Sequence, residues 1–313
     1  MRWLAIALCA CTTALAQAPY PAKPLRYIIP ESPGGGSDVI GRIFAEGLAD
    51  VFGQPVMVDN RPGAGTTIGI AVGAKAAPDG YTITQNGSGF AAGPSLYRTL
   101  PYDPVRDFAH VTLLAKAPYA LVVHPSIPVR SVKALVALAQ GKPGALNYAS
   151  AGTGAASYFA AETFKEKARI NVTHVPYRGG GPALTAVLAG EVSVYFAPVA
   201  AAAPYFGNRL RVLAVTTLQC LPLMPDMPTV AESGYAGYES GNWYGLLLPV
   251  GASGDVVIAL HRAAISTLGK VNKRLTELAY ITIGSSPAEY AAYVATEVKN
   301  TAATYQRLGL KPN

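Results

Sequence analysis

Cysteine is scarce in this sequence: Cys9 and Cys11 fall in the first apolar run, and only Cys220 lies beyond it. A disulfide-built scaffold is therefore excluded. Charge is sparse as well, at 14% of residues, with 25 basic against 18 acidic and a formal net charge of +7. No run of Lys and Arg interleaved with aromatics occurs, which argues against nucleic-acid binding. The four histidines, His110, His124, His174 and His261, stand far apart without metal-ligand spacing. Long hydrophobic runs are missing too. Leu4 to Ala16 falls short of the roughly 20 residues a bilayer span needs. Phosphate-loop and nucleophile-elbow signatures are absent. Gly152-Thr153-Gly154-Ala155-Ala156-Ser157 nearly makes a dinucleotide fingerprint, but Ser157 replaces its third glycine and Val172 stands where the ribose-binding acid belongs. No cofactor, no metal and no enzymatic activity are expected.

What remains is a chain of 313 residues, half of them hydrophobic, with a mean hydropathy of +0.26. That length suggests about two domains, and that hydropathy excludes a disordered chain. The 32 glycines and 25 prolines follow no period, so they punctuate many short elements. Arg2, the apolar run and small residues at Ala14, Ala16 and Ala18 form a secretory signal peptide over 1–18, with cleavage after Ala16 or Ala18. Leu8-Cys9-Ala10-Cys11 makes a poor lipoprotein signal, so a soluble exported protein is expected. Losing Arg2 takes the formal charge from +7 to +6. Cys220, beside Leu221-Pro222-Leu223 and without a cationic neighbour, reads as a packed thiol rather than a nucleophile.

Strands alternate with helices along the mature chain. Leu25–Ile29 reads as a buried strand, followed by Pro33-Gly34-Gly35-Gly36-Ser37 and an amphipathic helix from Asp38 through Ile40, Ile43, Phe44 and Leu48. Further strands are expected at 56–58, 81–84, 146–149, 172–174, 192–196, 212–215 and 243–249. Helices are expected up to Lys75, at 132–139 behind Ser131, and at 156–168. Val111 to Val123 reads as two extended pieces broken by Pro118. Ser286-Pro287-Ala288-Glu289 is a capping box that opens a terminal helix with Tyr290, Tyr293, Val294, Val298 and Tyr305 on its apolar face. The βαβ pattern predicts parallel sheet covered on both faces.

The chemical clue is a repeated arrangement. Strand, glycine-rich turn and helix start recur at 28–45 and 146–164. Glycines let a ligand approach the backbone, and a helix N-terminus supplies unpaired N–H groups with about half a positive charge. Two such turns in two lobes suit a shared carboxylate or phosphate held without basic side chains. Asp38 reads first as a residue that caps its turn and second as a ligand contact.

A set of motifs, in order and spacing, resembles the substrate-binding proteins of tripartite tricarboxylate transporters, the Bug-type extracytoplasmic receptors. They are Pro30 with Pro33-Gly34-Gly35 and Asp38; Asn60-Arg61-Pro62-Gly63-Ala64-Gly65; Pro78-Asp79-Gly80-Tyr81; Leu100-Pro101-Tyr102-Asp103-Pro104 through Asp107-Phe108; Tyr148-Ala149-Ser150-Ala151-Gly152-Thr153-Gly154; Val175-Pro176-Tyr177-Arg178-Gly179-Gly180; Pro225-Asp226-Met227-Pro228-Thr229-Val230-Ala231-Glu232; and Trp243-Tyr244-Gly245-Leu246. The resemblance covers essentially everything after the signal peptide. It implies an α/β, type II periplasmic-binding-protein fold: two α/β lobes joined by two crossovers, with a ligand cleft between them. Lobe 1 would be 19–121 plus 241–313, and lobe 2 would be 122–240. It implies a monomeric periplasmic receptor for a small carboxylate, partnered by the membrane subunits of a tripartite transporter or, alternatively, by a sensor kinase. A secreted enzyme on the same scaffold is the least favoured reading.

The ligand-binding residues so implied are Glu31, Ser32, Pro33, Gly34, Gly35, Gly36, Ser37, Asp38, Ser88, Gly89, Phe90, Ser150, Ala151, Gly152, Thr153, Gly154, Ala197 and Pro198. Three depart from the family pattern. Glu31 stands where relatives carry an aromatic residue, Phe90 where His is frequent, and Ala197 where an acid is frequent. A carboxylate at Glu31 would repel a second ligand carboxylate by about 1–4 kcal/mol at a high effective dielectric. A monocarboxylate bearing an amine, amide or hydroxyl group is therefore expected over a polyacid.

Overall fold

A computed structural model describes residues 20–312. The signal peptide expected over 1–18, with Cys9 and Cys11, lies outside the described residues. Among the described residues no helix is long and apolar enough to cross a membrane.

The first three strands, β1 (Leu25–Ile29), β2 (Val56–Asn60) and β3 (Thr82–Asn86), run parallel in the order β2-β1-β3. Helices α1 (Gly36–Phe52), α2 (Thr67–Ala74) and α3 (Ser88–Leu96) link or follow them. Strand β4 (Phe108–Val123) then leaves this unit. Next come α4 (Val132–Gly141), β5 (Asn147–Ser150), α5 (Ala156–Ala168), β6 (Thr173–Pro176), α6 (Gly180–Leu188), β7 (Val194–Pro198), the single turn α7 (Val199–Ala202) and β8 (Arg211–Val215). The chain returns through β9 (Gly241–Pro249) and ends with α8 (Gly254–Glu277), β10 (Ile281–Thr282) and α9 (Pro287–Arg307).

Two strands connect the lobes. Phe108 to Pro118 of β4 pairs antiparallel with β9, whereas Tyr119 to Val123 pairs with β7 and β8. The first lobe's sheet thus runs β2-β1-β3-β9-β4, with β10 on the far edge of β4, and the second runs β8-β4-β7-β5-β6. The return crossing falls at Ser240–Gly241, where Gly241 sits opposite Pro118.

The sheets are mixed rather than parallel, which corrects the expectation. β4, β8, β9 and β10 enter antiparallel because the chain crosses between lobes inside a strand instead of through a helix. Pro118 breaks nothing: β4 is one strand of 16 residues. Proline has no N–H to donate, and it sits at the point where β4 exchanges one sheet for the other.

Alternation sets the layers. Leu246 and Leu248 of β9 face α1 and α8 with Tyr27, Phe44 and Leu260, while Leu247 between them faces α2, α3 and α9 with Ile70, Tyr290 and Val294. In the second lobe Leu121 and Val123 join Phe164 and Tyr238, and Val122 joins Leu184 and Val187 on the opposite face. Two cores, each covered on both sides of its sheet, make a two-lobe binding-protein fold. α8 carries the expected amphipathic spacing but was not singled out by sequence. Cys220 is exposed, not packed, because the segment after β8 runs over the surface; its Sγ lies 3.8 Å from the Glu232 carboxylate.

Candidate functional site

The turn after β1 is tied down from below. The Asp38 carboxylate accepts the Gly34 N–H at 3.0 Å, the Arg42 guanidinium at 3.0 Å and the Asn60 amide at 3.0 Å. Asn60 also donates to the Glu31 carbonyl at 3.0 Å. These bonds hold the Asp38 carboxyl below its ordinary range, although partial burial opposes them. Asp38 therefore organises the turn and does not line the cleft.

Across the cleft, the opposite lobe meets this turn with Gly179-Gly180-Gly181. A Cβ placed on Gly35 would lie 3.4 Å from the Gly180 Cα and from the Gly181 nitrogen. One placed on Gly181 would collide with the Pro33 carbonyl oxygen. Ser32 Oγ donates to the Arg178 carbonyl across the same seam. Ser32, Pro33, Gly34 and Gly35 thus form the contact between lobes rather than the wall of a pocket.

Behind this seam is a cavity with room for about one water, 20 Å³, lined from both lobes by Glu31, Thr66, Ser88, Gly89, Tyr119, Ala151, Ala155, Ala156, Ser157, Gly180, Tyr195, Pro198, Asn242 and Tyr244. A 250 Å³ mouth adjoins it, sharing Glu31, Thr66, Ala151 and Ala155 and adding Gly152, Thr153, Tyr177 and Arg178. Three helices begin in the cavity wall: α3 at Ser88, α5 at Ala156 and α6 at Gly180. α1 begins beside it, where Gly36 lies against Pro198 and the Tyr244 hydroxyl.

None of these four helices is capped by the side chain of its own N-cap residue, Gly35, Gly87, Ala155 or Gly179; in α3 the Ser88 N–H goes instead to Asn242 Oδ1 at 3.0 Å. The helices that start on the outer surface are capped, α4 by Ser131, α8 by Ser253 and α9 by Ser286 in a full capping box. First-turn N–H groups have no intrahelical partner, so uncapped starts converging on one cavity create a positive potential without a basic side chain. The hydroxyls of Ser88 and Tyr195 and Oγ1 of Thr66 line the cavity and find no protein partner.

Several expected residues stand elsewhere. Phe90 is fully buried against Tyr102 and Phe108, because the third residue of α3 turns its side chain into the lobe. Ala197 belongs to the core of the second lobe, on the face of β7 that it shares with Tyr195, and is not part of the cavity wall. Gly154, at φ +86°, lies against the Leu96 side chain. Ser150 is buried, its Oγ 2.7 Å from His174 Nε2 while it accepts the Gly152 N–H at 3.1 Å. The Ala151 N–H likewise goes to Ser157 Oγ at 3.0 Å. The amides of Gly34, Ala151 and Gly152 are thus used close by in the chain, and of the helix-start amides Ser88 N–H is taken by Asn242. Burial and the nearby Lys165 ammonium push His174 down to about 4 against the opposing Glu162 carboxylate.

Sequence reasoning missed Tyr119, Tyr195, Asn242 and Tyr244. These sit on strands where nothing local separates a cleft-facing position from a core position. Gly179–Gly181 was the one missed feature with a signal, a third glycine run before a helix.

Glu31 is the only charged side chain in the cavity wall. Loss of hydration, with a smaller contribution from the Asp38 carboxylate and against the Ser37 hydroxyl, pushes its carboxyl up to about 7. It forms none of the ion pairs found among the described residues.

A polar cavity between two α/β lobes, walled by helix starts from both, defines a two-lobed solute-binding protein. The chain belongs to the tripartite tricarboxylate transporter receptor family, whose model matches residues 40–310. It is 31% identical over 300 residues to Protein BugT of Bordetella pertussis, covering 93% of this chain and 91% of that one. Among solved structures it resembles R. palustris Rpa4515 with adipate (TM-score 0.91, 31% identity, 94% of this chain and 100% of that one). It also resembles MatC from Rhodopseudomonas palustris with bound malate (TM-score 0.86, 28% identity, 91% and 99%).

Proposed function

We propose that this protein is a monomeric periplasmic receptor that closes on one small carboxylate and delivers it to the membrane subunits of a tripartite transporter. Export through cleavage after Ala16 or Ala18 would place it in the periplasm. Lobe 1 would comprise 19–121 and 241–313, and lobe 2 residues 122–240. The observation that carries the reading is the convergence of the starts of α3, α5 and α6 on one cavity shared by both lobes, with α1 beginning beside it and none of the four capped by its own N-cap side chain. That arrangement stabilises an anion only when the lobes meet, so ligand binding and closure are one equilibrium. The relatives solved with adipate and malate support the ligand class.

Thermal denaturation of protein refolded to strip co-purified ligand tests this against a panel of small carboxylates. A true ligand at a hundredfold excess over its Kd adds about 2.7 kcal/mol of stability, a shift of several degrees in Tm. Replacing Tyr195 by Phe removes a hydroxyl with no protein partner, so it leaves the unliganded Tm unchanged and weakens binding by about 0.5–1.5 kcal/mol. If no carboxylate shifts the Tm, and amines or neutral sugars do, the reading is wrong.

A further inference from the structure

We propose that Glu31 selects the ligand, its carboxylate facing the ligand's second polar group, so that the cleft takes monocarboxylates carrying an ammonium group in preference to dicarboxylates. The inference rests on the carboxylate-receptor reading above and specifies its ligand.

The geometry carries the argument. Glu31 lines both the inner cavity and its mouth, and its backbone is fixed by Asn60, which the Asp38 network holds in turn. Its position is therefore set by the fold and not by a flexible loop. The cavity wall offers the starts of α3, α5 and α6, which favour an anion. The same wall offers one carboxyl group and no Lys, Arg or His. A dicarboxylate would meet the anion site with its first group and a like charge with its second. A zwitterion offers a partner to the helix starts and to the carboxyl group alike.

The groups facing Glu31 are few. From α1 come the Asp38 carboxylate and the Ser37 hydroxyl. From β4, β7, β9 and the segment before β10 come Tyr119, Tyr195, Tyr244 and Tyr280, each of whose hydroxyls is pushed up in part by the Glu31 charge. Arg178 is exposed at the mouth, where it lines the entrance but not the cavity. No side chain of the cavity wall neutralises Glu31, so a bound ammonium group would be its counter-ion.

Calorimetry on refolded protein with carbon-matched pairs tests the inference: alanine against malonate, 4-aminobutyrate against succinate, and 6-aminohexanoate against adipate. In at least one pair the amino acid binds wild type more tightly, and its affinity rises about tenfold from about pH 6 to about pH 8 as the carboxyl ionises. In Glu31→Gln that preference falls at least about tenfold and the pH dependence disappears. The wild-type pH profile stands by itself if the variant does not fold. Tighter binding of a dicarboxylate to wild type, or a preference unchanged in Glu31→Gln, overturns the role of Glu31 and leaves the receptor standing. If no member of any pair binds either protein, the carboxylate-receptor reading fails and this inference with it.

Discussion

At Gly181 an alanine would cost nothing locally. Its backbone is outside the left-handed region, it is the second residue of α6, and alanine is the better helix former there by about 0.5–1 kcal/mol. Its Cβ would nonetheless run into the Pro33 carbonyl of the other lobe, and a backbone oxygen cannot step aside as a flexible side chain can. The penalty therefore falls on the closed form alone. Gly181→Ala is expected to weaken ligand binding by at least about tenfold, roughly 1.4 kcal/mol, while the unliganded protein melts at or slightly above the wild-type temperature. Calorimetry and a melting curve check the two halves; unchanged affinity would show that the seam does not close on the ligand. Gly152 is a poorer test, because at φ +125° any side chain strains the loop whether or not the lobes meet.

Among elements, β9 decides whether the first lobe exists. It lies between β3 and β4 in the sheet, so its removal leaves two unpaired edges in the centre of the core. α8 and α9 then leave opposite faces of that sheet bare, including the surface covered by Leu260, Ala264, Tyr290 and Val294. A fragment ending at residue 240 is expected to show no cooperative unfolding of the first lobe and to bind a dye for exposed apolar surface. A sharp calorimetric transition for both lobes in that fragment would refute the proposed boundaries. The second lobe lacks only its crossover partner and depends less on the missing segment.

For the whole molecule, closure and protonation are linked. A carboxyl raised to about 7 binds its proton more tightly when enclosed, so the Glu31 contribution favours the closed form at low pH and is lost as pH rises from the ordinary carboxylate range through about 7. His174 acts the other way. With a folded pKa of about 4, below its ordinary value of 6.5, it adds stability that is lost as pH falls from 6.5 through about 4. His174 lies inside one lobe, stacked on Tyr148, so it affects melting and not closure. Small-angle scattering of ligand-free protein is expected to show a larger radius of gyration at about pH 8 than at about pH 5.5, with the difference absent in Glu31→Gln. An identical pH response in the variant would remove Glu31 from the closure equilibrium. Above about pH 7 an ionised Glu31 is expected to oppose closure of the empty lobes, and a ligand cation would remove that obstacle.

The local elements were legible because their causes are local. The buried run of β1, the amphipathic period of α1, the start of α5 at Ala156 and the Ser286 capping box each depend on residues within a few positions of one another, and all stand where the sequence places them. The glycine turns were legible as anion-suited loops for the same reason. What the sequence could not show is which amides stay unpaired. Gly34 gives its N–H to Asp38 and Gly152 gives its own to Ser150, choices made by side-chain geometry rather than by composition. Nor could it show that Phe90 and Ala197 are core residues only, while Tyr119, Tyr195 and Tyr244 are core residues that also line the cavity. On strands buried on both faces every position is apolar or aromatic, so alternation no longer says which side meets a ligand. The cavity itself joins Glu31 to Tyr195, Gly35 to Gly180 and Ser88 to Asn242, contacts between residues far apart in the chain. They exist only because β4 and β9 carry the backbone from one sheet into the other and bring the two lobes face to face.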